Sequence, residues 1–144
     1  MKRIVSYILI VMAFSALFGR VFAAGASTGT DQTSVVLDQK TILANLKDIY
    51  GRLSDLSGQT QLAINQFGAT GANTTQATLD LVTANASLAR ASSAIDKVNA
   101  QANADTFAYS VTVAENYLKE GRNEIIATLN DLKAVLPSVS SHNQ

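Results

Sequence analysis

The side chains able to do acid–base, nucleophilic or metal chemistry are few and scattered along the chain. The single histidine, His142, lies in the polar stretch SVSSHNQ that follows the only proline, Pro137. Catalytic bases and metal ligands need rigid positioning, which a polar tail does not supply. The carboxylates are dispersed, among them Asp38, Asp48, Asp55, Asp80, Asp96, Asp105, Glu115, Glu120, Glu124 and Asp131. No run of them has the spacing of a calcium loop, and no Glu-x-x-His is present for a diiron bundle. Glu120 and Glu124 stand four apart on one helical face, where like charges repel. They read as a weak divalent-cation site or, more economically, as a solvated face.

Serine and threonine are plentiful, but none has a base within plausible reach. There is no phosphate-binding glycine loop and no Gly-x-Gly-x-x-Gly. We therefore expect no catalytic, cofactor-binding or metal-ligating residues, and we read the chain as a non-enzyme. Tyr50, Tyr109 and Tyr117 are amphipathic and could stack on glycans or surfaces; the plainer expectation is the edge of a helical core. Asn73-Thr74-Thr75 and Asn85-Ala86-Ser87 match the N-glycosylation pattern, which has meaning only in a eukaryotic secretory route.

These residues must be held by helices, because periodicity of 3.5–3.6 residues dominates the chain. Its 144 residues allow one small domain. Apolar residues make up 47%, much of it alanine, and charged residues only 15%, so Asn, Gln, Ser and Thr carry the polar surface. There is no cysteine; neither a disulfide nor a thiolate metal site can staple the fold. Its stability must come from an apolar core.

The N-terminal stretch has the pattern of a secretory leader. Lys2 and Arg3 precede an almost wholly apolar run, Ile4 to Phe18, and Val21-Phe22-Ala23 offers small residues at a cleavage site. Fifteen apolar residues span about 22 Å as a helix, short of a hydrocarbon core of roughly 30 Å, and Arg20 interrupts the run. We expect residues 1–23 to be a cleaved signal peptide. N-terminal sequencing of the exported protein should begin at Ala24 or Gly25; recovery of intact residues 1–23 on the mature chain would overturn this. Lys2, Arg3 and Arg20 are three of the 11 basic residues, so 8 remain against 11 acidic ones, a net charge of −3. A mildly acidic domain without a basic stripe is a poor nucleic-acid binder.

Residues 24–33, AGASTGTDQT, read as a flexible linker. A first helix is expected from Ser34 to Phe67, on a seam of Val35, Gln39, Ile42, Leu46, Ile49, Leu53, Leu56, Thr60, Ala63 and Phe67, spaced alternately by four and three. Leu43, Tyr50 and Ile64 flank and widen that seam. Gly68 is expected at the left-handed position that ends the helix, and Asn73, with Gln76 three residues on, as the cap of the next. Gly51 and Gly58, one heptad apart, read as a close-packing stripe, as tolerated surface glycines, or as a break that would make four helices.

A second helix is expected from Thr74 to Gln101, on Leu81, Ala84, Leu88, Ala91, Ile95, Val98 and Ala102. A third follows from Thr106 to Leu136, capped by Asp105, on Phe107, Val111, Ala114, Leu118, Gly121, Ile125, Thr128, Leu132 and Val135. Glu115 and Lys119 are spaced for an ion pair. Pro137 is expected to stop this helix, leaving residues 137–144 as a disordered tail. Three seams of similar length joined by short turns predict an all-α, antiparallel up-down-up bundle over residues 34–136.

Asp48-Ile49-Tyr50-Gly51-Arg52-Leu53-Ser54, Gly71-Ala72-Asn73-Thr74-Thr75 and Leu129-Asn130-Asp131-Leu132-Lys133 resemble segments of uncharacterised small exported helical proteins of small-genome bacteria, over about residues 35–136. That resemblance implies a three-helix fold and no known activity. Ile64-Asn65-Gln66-Phe67-Gly68 and Ser93-Ala94-Ile95-Asp96-Lys97 more weakly resemble fungal hydrophobic-surface-binding cell-wall proteins, which would imply binding of apolar ligands or surfaces.

The function expected is that of an exported structural or interaction module of the cell envelope or surface, acting by helix–helix, coiled-coil-like packing with a protein partner or another copy. No nucleic-acid partner is expected, nor stable membrane insertion once the leader is removed. The alternative is a carrier that holds lipid or another apolar ligand between its helices.

Overall fold

The computed structural model describes residues 32–100 and 103–140; of these, side chains are described for residues 39–100 and 103–135. The signal peptide, linker residues 24–31, Ala102 and His142 lie outside the described residues, as does the side chain of Val35. Three helices account for 93% of the described chain: α1 Gln32–Ala69, α2 Thr75–Asn99 and α3 Ala104–Ser140. No strand occurs among the described residues. The chain divides between Gln39 and Lys40 into two units, and the packing described here is that of residues 40–144.

The helices form an antiparallel three-helix bundle. Early α2 lies beside late α3, where Asp80 meets Asp131, and the middle of α2 lies beside Gly121 of α3. Ser57 Oγ of α1 donates to Asn85 Oδ1 of α2 at 2.6 Å. The core is built from Leu46, Ile49, Leu53, Ile64 and Phe67 of α1, the α2 seam from Ala77 to Val98, and Phe107, Ala114, Leu118, Ile125, Leu129 and Leu132 of α3. Ala84, Ala91 and Ala114 are wholly buried. Their small side chains let the helix backbones approach closely.

Every described α2 seam position predicted from spacing is buried, and Ala77, Ser87 and Ala94 widen the stripe. On α1 the seam departs from expectation beyond Leu53. The buried set becomes Ser57, Thr60, Ile64 and Phe67, while Leu56 and Ala63 are only half-buried. The first part of the helix follows one strict heptad line; a straight 3.6-residue helix drifts from a 3.5 repeat by about 20° per heptad. That drift rotates the next residue of each pair into the interface. Thr60 and Thr128, buried at seam positions as expected, satisfy their hydroxyls by donating to the carbonyls of Leu56 and Glu124, each at 2.8 Å.

The helix ends correct five expectations. Helix α1 is described from Gln32, so two of the residues assigned to the linker are helical. At its other end Gly71, not Gly68, takes the left-handed conformation, with φ +82°. Ala72 N–H donates to Phe67 O at 3.2 Å and Gly71 N–H to Gly68 O at 3.0 Å, the paired bonds that close a helix on a left-handed C′ residue. Gly68 was the nearer glycine, but the helix could run one more turn to Gly71 at little cost.

Helix α2 starts one residue late, with Thr74 at the cap position and no side-chain cap bond. Asn73 Oδ1 instead accepts from Thr75 N–H at 3.1 Å, and Gln76 turns away from a capping box to donate to Asp80 Oδ1 at 2.7 Å. Helix α3 is capped by Asn103, whose Oδ1 accepts from Asp105 N–H at 2.9 Å while its carbonyl accepts from Phe107 N–H at 2.9 Å. Asp105 lies in the first turn, where a negative charge suits the helix dipole.

Pro137 does not end α3, which runs on to Ser140, so part of the segment expected to be disordered is helical. Proline restricts the residue before it and removes one N–H, but its own φ near −65° is helical. Placed one turn from the end, it costs one bond without preventing the turn that follows.

Helix α1 is unbroken through Gly51 and Gly58, which removes the four-helix alternative. A Cβ added at either glycine meets nothing within 4 Å, so neither lines an internal packing face of the bundle.

Candidate functional site

Among the described residues, most of those singled out for chemistry stay apart in the fold; Asp80 and Asp131 are the exception. Glu120 is exposed and Glu124 half-buried one turn on, and no three His, Cys, Asp or Glu side chains gather among the described residues. Glu115 and Lys119 do approach, at 4.0 Å, with Lys119 exposed and Glu115 half-buried. Asp48 and Arg52 form a second such pair at 2.9 Å. Pairs of this kind on a solvated helix contribute only tenths of a kcal/mol. Tyr50 and Tyr117 are half-buried at the bundle edge, as expected of amphipathic rings, but Tyr109 is 74% exposed.

Two features emerge that spacing along the chain does not announce. One is the outer face of α2, where Leu79 is 57% and Val82 62% exposed. The neighbouring outward residues Thr75, Gln76, Thr78, Thr83, Asn85, Ala86 and Ala89 are exposed and uncharged. The sequence signal was present in Leu79 and Val82, the larger apolar residues left off the α2 seam. The other is a meeting of two carboxyls, Asp80 of α2 and Asp131 of α3. They are 51 positions apart, so only the antiparallel pairing of the helices could bring them together.

Asp131 Oδ2 is buried with no hydrogen-bond donor. Burial, then a hydrogen bond with Asp80 and the Asp80 charge, push the Asp131 carboxyl above its ordinary value. Arg122 Nε is likewise buried without a hydrogen-bond acceptor.

The fold places the chain among all-α three-helix bundles. No protein-family profile, curated protein or solved structure matches it. No described helix is long and apolar enough to cross a membrane.

Proposed function

We propose that this chain is an exported, non-enzymatic helical protein of the cell envelope or surface, acting as a structural or interaction module through helix–helix packing. The observation that carries the reading is the outer face of α2. Its apolar pair, Leu79 and Val82, stands among exposed uncharged side chains and beside the half-buried Asp80, and apolar side chains so exposed gain from being covered. The apolar leader supports export. The dispersal of carboxylates and the lone histidine support a role without catalysis.

The test is site-specific photo-crosslinking in cells expressing the full chain, with the probe at Val82 and, as control, at Glu120 on the exposed face of α3. A protein adduct, a second copy included, is expected from position 82 and not from position 120. Equal labelling from both positions would overturn the reading. So would a stoichiometric lipid co-purifying with an uncrosslinked monomer, which is the result expected of an apolar-ligand carrier.

A further inference from the structure

The side of α2 turned away from the core carries a heptad seam of its own. Thr75, Leu79, Val82, Ala86, Ala89 and Ser93 are spaced alternately by four and three, and each is exposed. They lie opposite the buried line of Leu81, Ala84 and Leu88. A repeat of this period keeps one face toward a neighbouring helix over several turns.

This seam is graded in size. Its large residues, Leu79 and Val82, stand in the first half, and the second half is Ala86, Ala89 and Ser93. The spacing is also symmetric about the level of Ala84, so a second α2 running the opposite way can lay its seam on this one layer for layer. Leu79 then meets Ala89 of the second copy, Val82 meets its Ala86 and Thr75 its Ser93. Each layer sets a larger side chain against a smaller one, the condition under which facing helices interdigitate. A parallel copy would set Leu79 on Leu79 and Ala89 on Ala89, crowding one end and leaving the other slack.

Charge agrees with the antiparallel register. None of the six seam residues is charged. Arg90, exposed on one flank, comes within about two residues' rise, roughly 3 Å, of the level of Asp80 on the same flank of the second copy, and the two are of opposite sign. Asp96 and Lys97, also of opposite sign, follow the last layer.

We propose that two copies of this chain associate antiparallel through the outer face of α2, on a coiled-coil seam centred at the level of Ala84. This rests on the reading of that face as a contact surface and names the partner. A single pair of helices of this length gives an interface at the small end of the range for specific complexes, so the dimer is reversible and depends on concentration.

The chain has no cysteine, so a single introduced cysteine reports on its own neighbours. Leu79→Cys and Ala89→Cys, each introduced into the full chain, should be oxidised separately and as an equimolar mixture. In the antiparallel dimer the two copies of either position lie about 15 Å apart along the axis, beyond the reach of a disulfide, whereas position 79 of one copy adjoins position 89 of the other. A disulfide-linked dimer is expected from the mixture and little from either variant alone. In sedimentation equilibrium the wild type should pass from monomer to dimer as concentration rises. Val82→Glu puts a carboxylate into the seam without touching the core; it should raise the dissociation constant at least about tenfold and keep its helical circular dichroism. Self-linking of each variant as strong as in the mixture, no linked dimer from the mixture, or unchanged dimerisation in Val82→Glu would each overturn the proposal. A different protein captured at position 82 in cells, without the link between positions 79 and 89, would overturn the second copy as partner and leave the outer face of α2 as a contact surface.

Discussion

Leu53→Ala or Ile95→Ala is expected to destabilise the bundle by about 2–5 kcal/mol, the range found when a large aliphatic is removed from a packed core. Leu53 and Ile95 are nearly inaccessible, on α1 and α2 respectively. Each truncation removes apolar surface from the core and leaves a void that rigid neighbouring helices fill only in part. In a domain of this size each kcal/mol corresponds to roughly 4–8 °C in melting temperature, so a thermal or denaturant melt resolves the effect easily. Glu120→Ala, at an exposed position on α3, should stay within about 0.5 kcal/mol. Equal losses at the core and exposed positions would mean that the buried faces have been misassigned.

The glycines offer a second contrast, in which one chemical change has opposite signs at two places. Gly121→Ala is expected to destabilise by about 1–3 kcal/mol, the usual cost of overpacking. Its new Cβ would lie 2.9 Å from Leu88 Cδ2, 3.1 Å from Leu88 Cγ and 3.5 Å from the Ala84 carbonyl. Leu88 is itself buried, so it has little room to yield, and the strain outweighs a gain in helix propensity of about 1 kcal/mol. At Gly51 and Gly58 the new methyl groups enter open space. There the double alanine variant should be more stable, by up to about 1 kcal/mol per site, through helix propensity and a less flexible unfolded chain. Equilibrium unfolding of the two variants reads both signs. A stabilised Gly121→Ala would mean that α2 and α3 are less tightly apposed at this point. A destabilised Gly51→Ala/Gly58→Ala whose loss grows with protein concentration would locate a contact between copies.

The sequence by itself determined that the chain is helical, the order of its seams, and the face buried by α2 and by α1 as far as Leu53; that α1 runs unbroken through Gly58, giving three helices and not four, was decided by the structure. The former follow from local rules: heptad spacing aligns Leu46, Ile49 and Leu53, or Leu81, Ala84 and Leu88, on one side of a helix whatever it later packs against. Helix ends were legible only to within a residue or a turn. The structure caps α3 with Asn103 where Asp105 was expected, and stops α1 at Gly71 where Gly68 was expected; competing local solutions of nearly equal free energy are decided by how the turn must join its two packed helices. The tertiary structure alone decided which small residues are crowded. Gly51, Gly58 and Gly121 are the same residue in similar helices, yet only Gly121 faces another backbone closely. It alone also decided that Asp80 and Asp131, unremarkable in a dispersed set of carboxylates, should meet. Periodicity specifies the face that a residue occupies but not the axial register of one helix against the next, and close approach depends on that register.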